Sequence, residues 1–184
     1  MPAVDQEEPV KEPIDIDVPV PPVIPNTSPE GTKKKVVAET LTWIGTPYHH
    51  QARVKGIGVD CAQLLVGVAL GAGLISEAEA AQVPMNYSVE WNIHNREEVM
   101  LGILEDMGCK PVVGIPKPGD IIAFKVGRAH GHLGIIVTST EFVHAELQGS
   151  IKGSENGKVV RVHMAGEWAK LPKLFVSFPG AEND

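Results

Sequence analysis

Cys61 follows Asp60 and opens an apolar run, CAQLLVGVALG. A cysteine in the first turn of a helix feels the positive end of the macrodipole and the unpaired N–H groups there, which favours thiolate over thiol. The same N–H groups could receive the oxyanion of a tetrahedral intermediate. Cys109, just past a helix end and beside Lys110, has no such setting. A thiol nucleophile needs a base that accepts a proton near neutral pH, and histidine is the natural choice. His132 and His144 lie in two successive strand-like segments, HLGIIV and EFVHA, joined by a tight turn around Thr138–Thr140. If that loop holds an odd number of residues, both histidines project from one face, opposite each other or one diagonal apart. An even loop separates them. Together the three residues have the logic of nucleophile, base and orienting third group. A second chemistry stays open, because Cys61, His130, His132 and His144 also make a Cys/His set for zinc. The His130-Gly-His132 spacing, however, fits no common structural zinc pattern.

The elements that must position these residues can be read from period and punctuation. Thr32 is placed to cap a helix over Lys33–Ile44, with Val37, Leu41 and Ile44 on its apolar stripe and Gly45 and Pro47 ending it. A second helix runs from Cys61 to Gly71, with Asp60 as N-cap and Gln63 at the capping-box position. A third is expected over Arg96–Met107, stopped by Gly108. The period then changes to two, and short strands are expected at Ile121–Phe124, His132–Val137, Glu141–Ala145, Val159–His163 and Leu174–Phe178. Helices first and strands after indicate an α+β fold with an antiparallel sheet.

Composition bounds the rest. The chain has 184 residues, enough for one domain, and a formal net charge of −7. Residues 1–30 hold eight of the 15 prolines, and their seven acids against Lys11 give −6 of that charge. Residues 1–31 therefore read as a Pro-rich acidic leader, disordered or extended, and 32–184 as a nearly neutral domain. Within the leader, Ile14, Ile16, Val18 and Val20 alternate with Asp15, Asp17 and Pro19, a pattern able to pair with a sheet edge. An acidic chain with pI near 5.5 is no candidate for nucleic-acid binding through phosphates. No apolar run reaches the roughly 18–20 residues of a membrane span. The opening MPAVDQEEPVKEP has neither a basic nor an apolar signal region, so synthesis in the cytoplasm without a signal peptide is expected.

The motifs WIGTPYHHQARVKGIGVDC, PGDIIAF, HLGIIV and FVHA, in that order, resemble the NlpC family of papain-like cysteine peptidases. They look closest to the cell-wall peptidases of phage tail and gene-transfer-agent modules. The resemblance covers about residues 33–180 and leaves the leader unmatched. It implies a papain-like α+β domain whose N-terminal helices, the cysteine helix among them, pack on a small antiparallel sheet. It also implies Cys61 as nucleophile, His132 as general base and His144 as the residue that fixes the His132 ring. Tyr48 matches the family tyrosine that shapes the substrate pocket. The activity implied is hydrolysis of amide bonds in peptidoglycan stem peptides, typically between D-γ-glutamyl and a diamino acid, without metal or cofactor. Tail proteins, met through the leader, are the implied partners, and a virion-associated enzyme acting on the bacterial wall is the implied setting. The chain departs from the family after Asp-Cys, where Ala62-Gln63 stands in place of Ser-Gly. A structural tail-assembly protein with this fold and little activity, and a thiol acyltransferase, are the alternative functions.

Other residues carry simpler expectations. Asp120 in PKPGD should shape a turn that launches a strand. Trp43 and Trp168 read as core or hairpin packing. His49 and His50 follow Tyr48 and are candidates for the cleft wall. Nothing favours His94 or His163. Lys33–Lys35 read as a solvated face or a basic contact for an anionic polymer.

Overall fold

In the computed structural model the described residues are 29–88, 91–94, 96–147, 157–182 and 184. The leader, up to residue 28, and its Ile14–Val20 alternation lie outside them. Helix α1 spans Pro29–Leu41. It therefore begins before Thr32, with proline at the helix start, where its missing N–H costs nothing. Thr32 lies inside the helix and is buried rather than capping it. The buried side is also rotated from the expected one. Thr32, Val36, Thr40 and Trp43 face inward, whereas Leu41 and Ile44 are 38% and 44% exposed. Two long-range contacts explain the rotation. Lys33 is drawn inward to the buried Asp120 carboxylate, its Nζ 3.0 Å from Oδ1. Trp43 lies so close to Gly67 that a Cβ there would sit 2.5 Å from the indole.

A short hairpin, β1 (Arg53–Val54) and β2 (Gly58–Val59), leads into α2, Cys61–Gly71, whose limits are those expected. Asp60 caps it, its side chain accepting from the Gln63 N–H at 2.9 Å. Three further helical segments follow: α3 (Glu77–Gln82), α4 (Trp91–His94) and α5 (Val99–Asp106). A Ser76–Glu79 capping box starts α3. Helix α5 is shorter than the expected Arg96–Met107. Glu98, at its N-cap position, makes no cap and instead turns its carboxylate to His130, accepting the backbone N–H at 2.8 Å.

The strands β3 (Lys110–Pro111), β4 (Ile121–Val126), β5 (Ala129–Ile136), β6 (Glu141–Ala145), β7 (Val159–His163) and β8 (Lys173–Ser177) form one antiparallel sheet in the order β3-β8-β4-β5-β6-β7. Each long strand falls within two or three residues of its expected limits. A four-residue helix, α6 (Glu167–Lys170), lies between β7 and β8. The fold is α+β, with the helices mainly N-terminal to the sheet. Alternation along the strands makes two cores. Ile121, Ala123, Leu133, Ile135 and Val143 join Leu64, Leu65 and Val68 of α2 in the larger. Ile122, Phe124, Ile136 and Phe142 form the smaller with Trp168 and Leu171.

Asp120 does more than launch β4. Its Oδ2 accepts the Lys117 N–H at 2.8 Å, as the turn requires, while Oδ1 accepts from Ser177 Oγ at 2.7 Å. With Lys33 it ties α1, β4 and β8 together. Lys33 is accordingly a buried ion-pair partner, not part of a solvated face. Among the described residues no helix is long and apolar enough to cross a membrane.

Candidate active site

The β5–β6 register pairs Ile135 with Val143 and Ile136 with Phe142, so even-numbered residues face even-numbered ones. Continuing that register sets His144 opposite Gly134 and leaves His132 one diagonal away. Their rings meet edge to face, centroids 4.9 Å apart, and His132 Nε2 lies 2.8 Å from His144 Nδ1. Gly134 is what makes room. A Cβ there would come within 2.8 Å of the Phe142 ring and 3.0 Å of the Val143 carbonyl.

Cys61, His132 and His144 line one cavity of about 240 Å³. Tyr48, His50, Asp60, Tyr87, Asn92 and Trp168 are also among its walls. Tyr48 reaches it through the Gly45–Tyr48 turn, which hydrogen bonds along β7: Gly45 N to Val159 O at 2.9 Å, Val159 N to Thr46 O at 2.8 Å and Tyr48 N to Gly157 O at 2.7 Å. His50 lines the cavity, while His49 is an exposed loop residue. His163 is solvent-exposed, 3.8 Å from Glu141 Oε1. His130 turns to Glu98, its Nδ1 3.1 Å from the carboxylate. The set Cys61, His130, His132 and His144 therefore does not converge. Among the described residues no three His, Cys, Asp or Glu side chains are placed to hold a metal ion.

The protonation of the pair differs from the expectation drawn from helix position. Backbone N–H groups of Leu133, Ala62 and Cys61 itself do reach the sulfur and favour thiolate. Burial, with the Asp60 carboxylate second, outweighs them and pushes the Cys61 thiol up to about 12. Burial also pushes His132 down to about 4. His144 is lowered too, by burial first and by the charge of His132 second. The resting site is a thiol beside neutral imidazoles. For His132 Nδ1 to take the thiol proton it must carry none itself, so the ring hydrogen sits on Nε2 and is donated to His144 Nδ1. The proton of His144 is then on its own Nε2, which is buried and has no hydrogen-bond partner among the described residues.

A second group of residues, of which Asp60, Gln63 and His50 were noted only singly in the sequence, braces the cysteine. The Asp60 carboxylate accepts from Gln63 N, from Gln51 N at 2.8 Å and from the Tyr87 hydroxyl, and lies 3.4 Å from His50 Nδ1. His50 Nε2 reaches the Tyr87 carbonyl at 2.8 Å. Gln63 is fully buried and does not line the cavity. Its Oε1 accepts from Arg53 Nη1 at 3.3 Å, and its Nε2 donates to the Pro84 carbonyl at 3.2 Å. The departure at Ala62-Gln63 therefore points away from the substrate space. Gln51, whose N–H completes this brace, holds a left-handed φ of 59°. The sequence pointed to Asp60, Gln63 and His50 singly, whereas nothing local announced Tyr87, 27 residues beyond Asp60. Asn92 closes another wall: it packs on Gly131, where a Cβ would come within 2.4 Å of Nδ2, and donates to the Val126 carbonyl at 2.8 Å.

No family model matches the sequence, and no curated protein matches it. Among solved structures, the NlpC/p60 domain of the peptidoglycan hydrolase SagA is similar with a TM-score of 0.49 and 19% identity, over 79% of this chain and 97% of that one. The resuscitation promoting factor interacting protein RipA, in a cysteine-mutated form, gives 0.46 and 18%, over 84% of this chain and 66% of that one. NlpC1 from Trichomonas vaginalis gives 0.44 and 15%, over 83% and 45%.

Proposed function

We propose that the chain is an NlpC-type peptidoglycan endopeptidase that hydrolyses stem-peptide amide bonds by thiol catalysis. The observation that carries this reading is the convergence of Cys61, at the start of α2, with the hydrogen-bonded His132–His144 pair in one cavity. His132 Nδ1 takes the thiol proton as sulfur attacks the carbonyl carbon, and the oxyanion is received by N–H groups of the first turn of α2. Gln63 N–H is held by Asp60, so Cys61 and Ala62 N–H are the donors left for that role. The imidazolium gives its proton to the leaving amine as the C–N bond breaks, leaving a thioester. Water, deprotonated by His132, then releases the acid and restores the thiol. Asp60 and Glu146 line the cavity and, among the described residues, no lysine or arginine does. That charge balance suits the ammonium group of a diamino acid and supports cleavage at the D-γ-glutamyl–diamino acid bond.

Digestion of purified sacculi with wild type and Cys61→Ala, followed by mass spectrometry, tests the proposal. Stem-peptide fragments ending at D-glutamate should appear only with wild type. Absence of Cys61-dependent cleavage overturns it, and acylated amine acceptors in place of free acids would identify an acyltransferase. The order of the sequence motifs supports a place in a phage tail or gene-transfer-agent particle, the leader being the segment offered to tail proteins. Immunodetection in purified particles assembled with and without residues 1–28 tests that placement.

A further inference from the structure

Trp168 is the one cavity-lining residue contributed by α6, and it touches both members of the histidine pair. Its indole lies against His132, centroids 5.3 Å apart and planes 28° from parallel, and meets His144 edge to face at 5.0 Å. Phe124 and Phe142 complete an aromatic box. Phe124 lies 4.9 Å from Trp168 and 6.3 Å from His132, and Phe142 lies 5.1 Å from His144. Within this box sits His144 Nε2, a buried polar atom without a partner among the described residues. An orphan of that kind is costly and binds water wherever water can reach it. The indole is partly exposed, as is His132, while Phe124, Phe142 and His144 are buried, and it is carried by a helix with no buried residue.

We propose that Trp168 is a positioning residue for His132, its indole fixing the imidazole plane and keeping water from the His132–His144 pair so that His132 stays an unprotonated base. This rests on the thiol-hydrolase reading and adds to it the element that sets the working pH range. No charged group is needed to explain the neutral ring, since burial alone accounts for the depressed basicity of His132. The ionisable groups sharing the cavity are Cys61 on α2, Asp60 at its cap, Tyr48, His50, Tyr87 and Glu146. On α6, Glu167 and Lys170 pair with each other at 2.7 Å, and on β5 His130 pairs with Glu98.

The test combines the pH profile of sacculus hydrolysis with NMR titration of the labelled imidazoles in a Cys61→Ala background. Trp168→Ala should raise the His132 titration midpoint by about two units, toward that of free imidazole, about 6.5. The acid limb of kcat/KM should move with it, with about tenfold less activity than wild type at pH 5 and little change at pH 8. Trp168→Phe, which keeps a flat face, should retain the wild-type limb. Should Trp168→Ala fail to fold, Trp168→Leu supplies the same comparison with apolar bulk but no flat ring. A loss of equal size at all pH values, or an unchanged His132 midpoint, overturns the proposal. If wild type shows no Cys61-dependent hydrolysis at any pH, the thiol reading fails, and the NMR titration alone decides the role of Trp168.

Discussion

The Tyr87 hydroxyl bridges both oxygens of the Asp60 carboxylate, at 2.9 and 2.8 Å. One side chain thereby joins the cap of the cysteine helix to a segment 27 residues further along the chain. Burial and the neighbouring Asp60 charge both drive the Tyr87 phenol upward, so it remains a donor across the physiological range. With Gln51 and Gln63 also donating, the carboxylate is held in place by three donors. Its chemical influence on Cys61 is that of a fixed negative charge.

Asp60→Asn removes that charge while keeping an acceptor for the cap. Because the carboxylate contributes to the raised thiol value, second after burial, the Cys61 titration should move down from about 12. Iodoacetamide alkylation at pH 8 should be faster in the variant than in wild type. Equal or slower alkylation would remove Asp60 as an electrostatic neighbour of the sulfur.

Gln63 supports the site from behind. Gln63→Ala leaves Arg53 and the Pro84 carbonyl short of a partner each and should lower stability by about 1–3 kcal/mol. Urea denaturation monitored by tryptophan fluorescence measures the loss. A residue that merely narrowed the substrate space would show no such cost.

Acid should destabilise the fold through the histidine pair. Folded His132 titrates near 4, whereas an unfolded histidine titrates near about 6.5. Between these values the unfolded chain binds more protons, so stability is full above the upper value and falls as pH drops through the window. The slope is about 1.4 kcal/mol per pH unit for one such group. Denaturation midpoints at pH 7, 6 and 5 should decline for wild type and decline less for His132→Gln.

Gly67→Ala separates two effects of opposite sign. Helix propensity alone favours alanine in the interior of α2 by about 1 kcal/mol. The approach of Trp43 to that position calls for a displacement of the indole and a cost of about 1–3 kcal/mol. Net destabilisation is expected in thermal unfolding, and Trp43→Leu should relieve it.

The legible parts of the fold were those set by neighbours in the chain. Asp60, Cys61 and Gln63 define the start of α2 through a cap that spans three residues, whereas the parity of the turn at Thr138–Thr140, left open by the sequence, is set by the β5–β6 register. The rotation of α1 depends on Lys33 meeting Asp120, a pairing that no local period announces. Tyr87 and Asn92 reach the site through partners tens of residues away, in a segment without a clear apolar repeat. Trp168 sits on a four-residue helix with no stripe to read. The neutral state of Cys61 follows from burial, which helix position does not reveal.

The turn that carries Tyr48 into the cavity also lies along β7, the outermost strand of the sheet. A bare outer strand offers its free N–H and C=O groups to other chains and is a starting point for aggregation. Gly45 and Thr46 occupy the groups of Val159 at the start of β7 and Tyr48 the Gly157 carbonyl just before it, while the opposite margin is only two residues long and ends in Pro111, which cannot donate. The residues that shape the pocket thus also protect solubility. Loosening the turn around Pro47 would expose a strand as well as misplace a tyrosine, so loss of function and self-association should arise together.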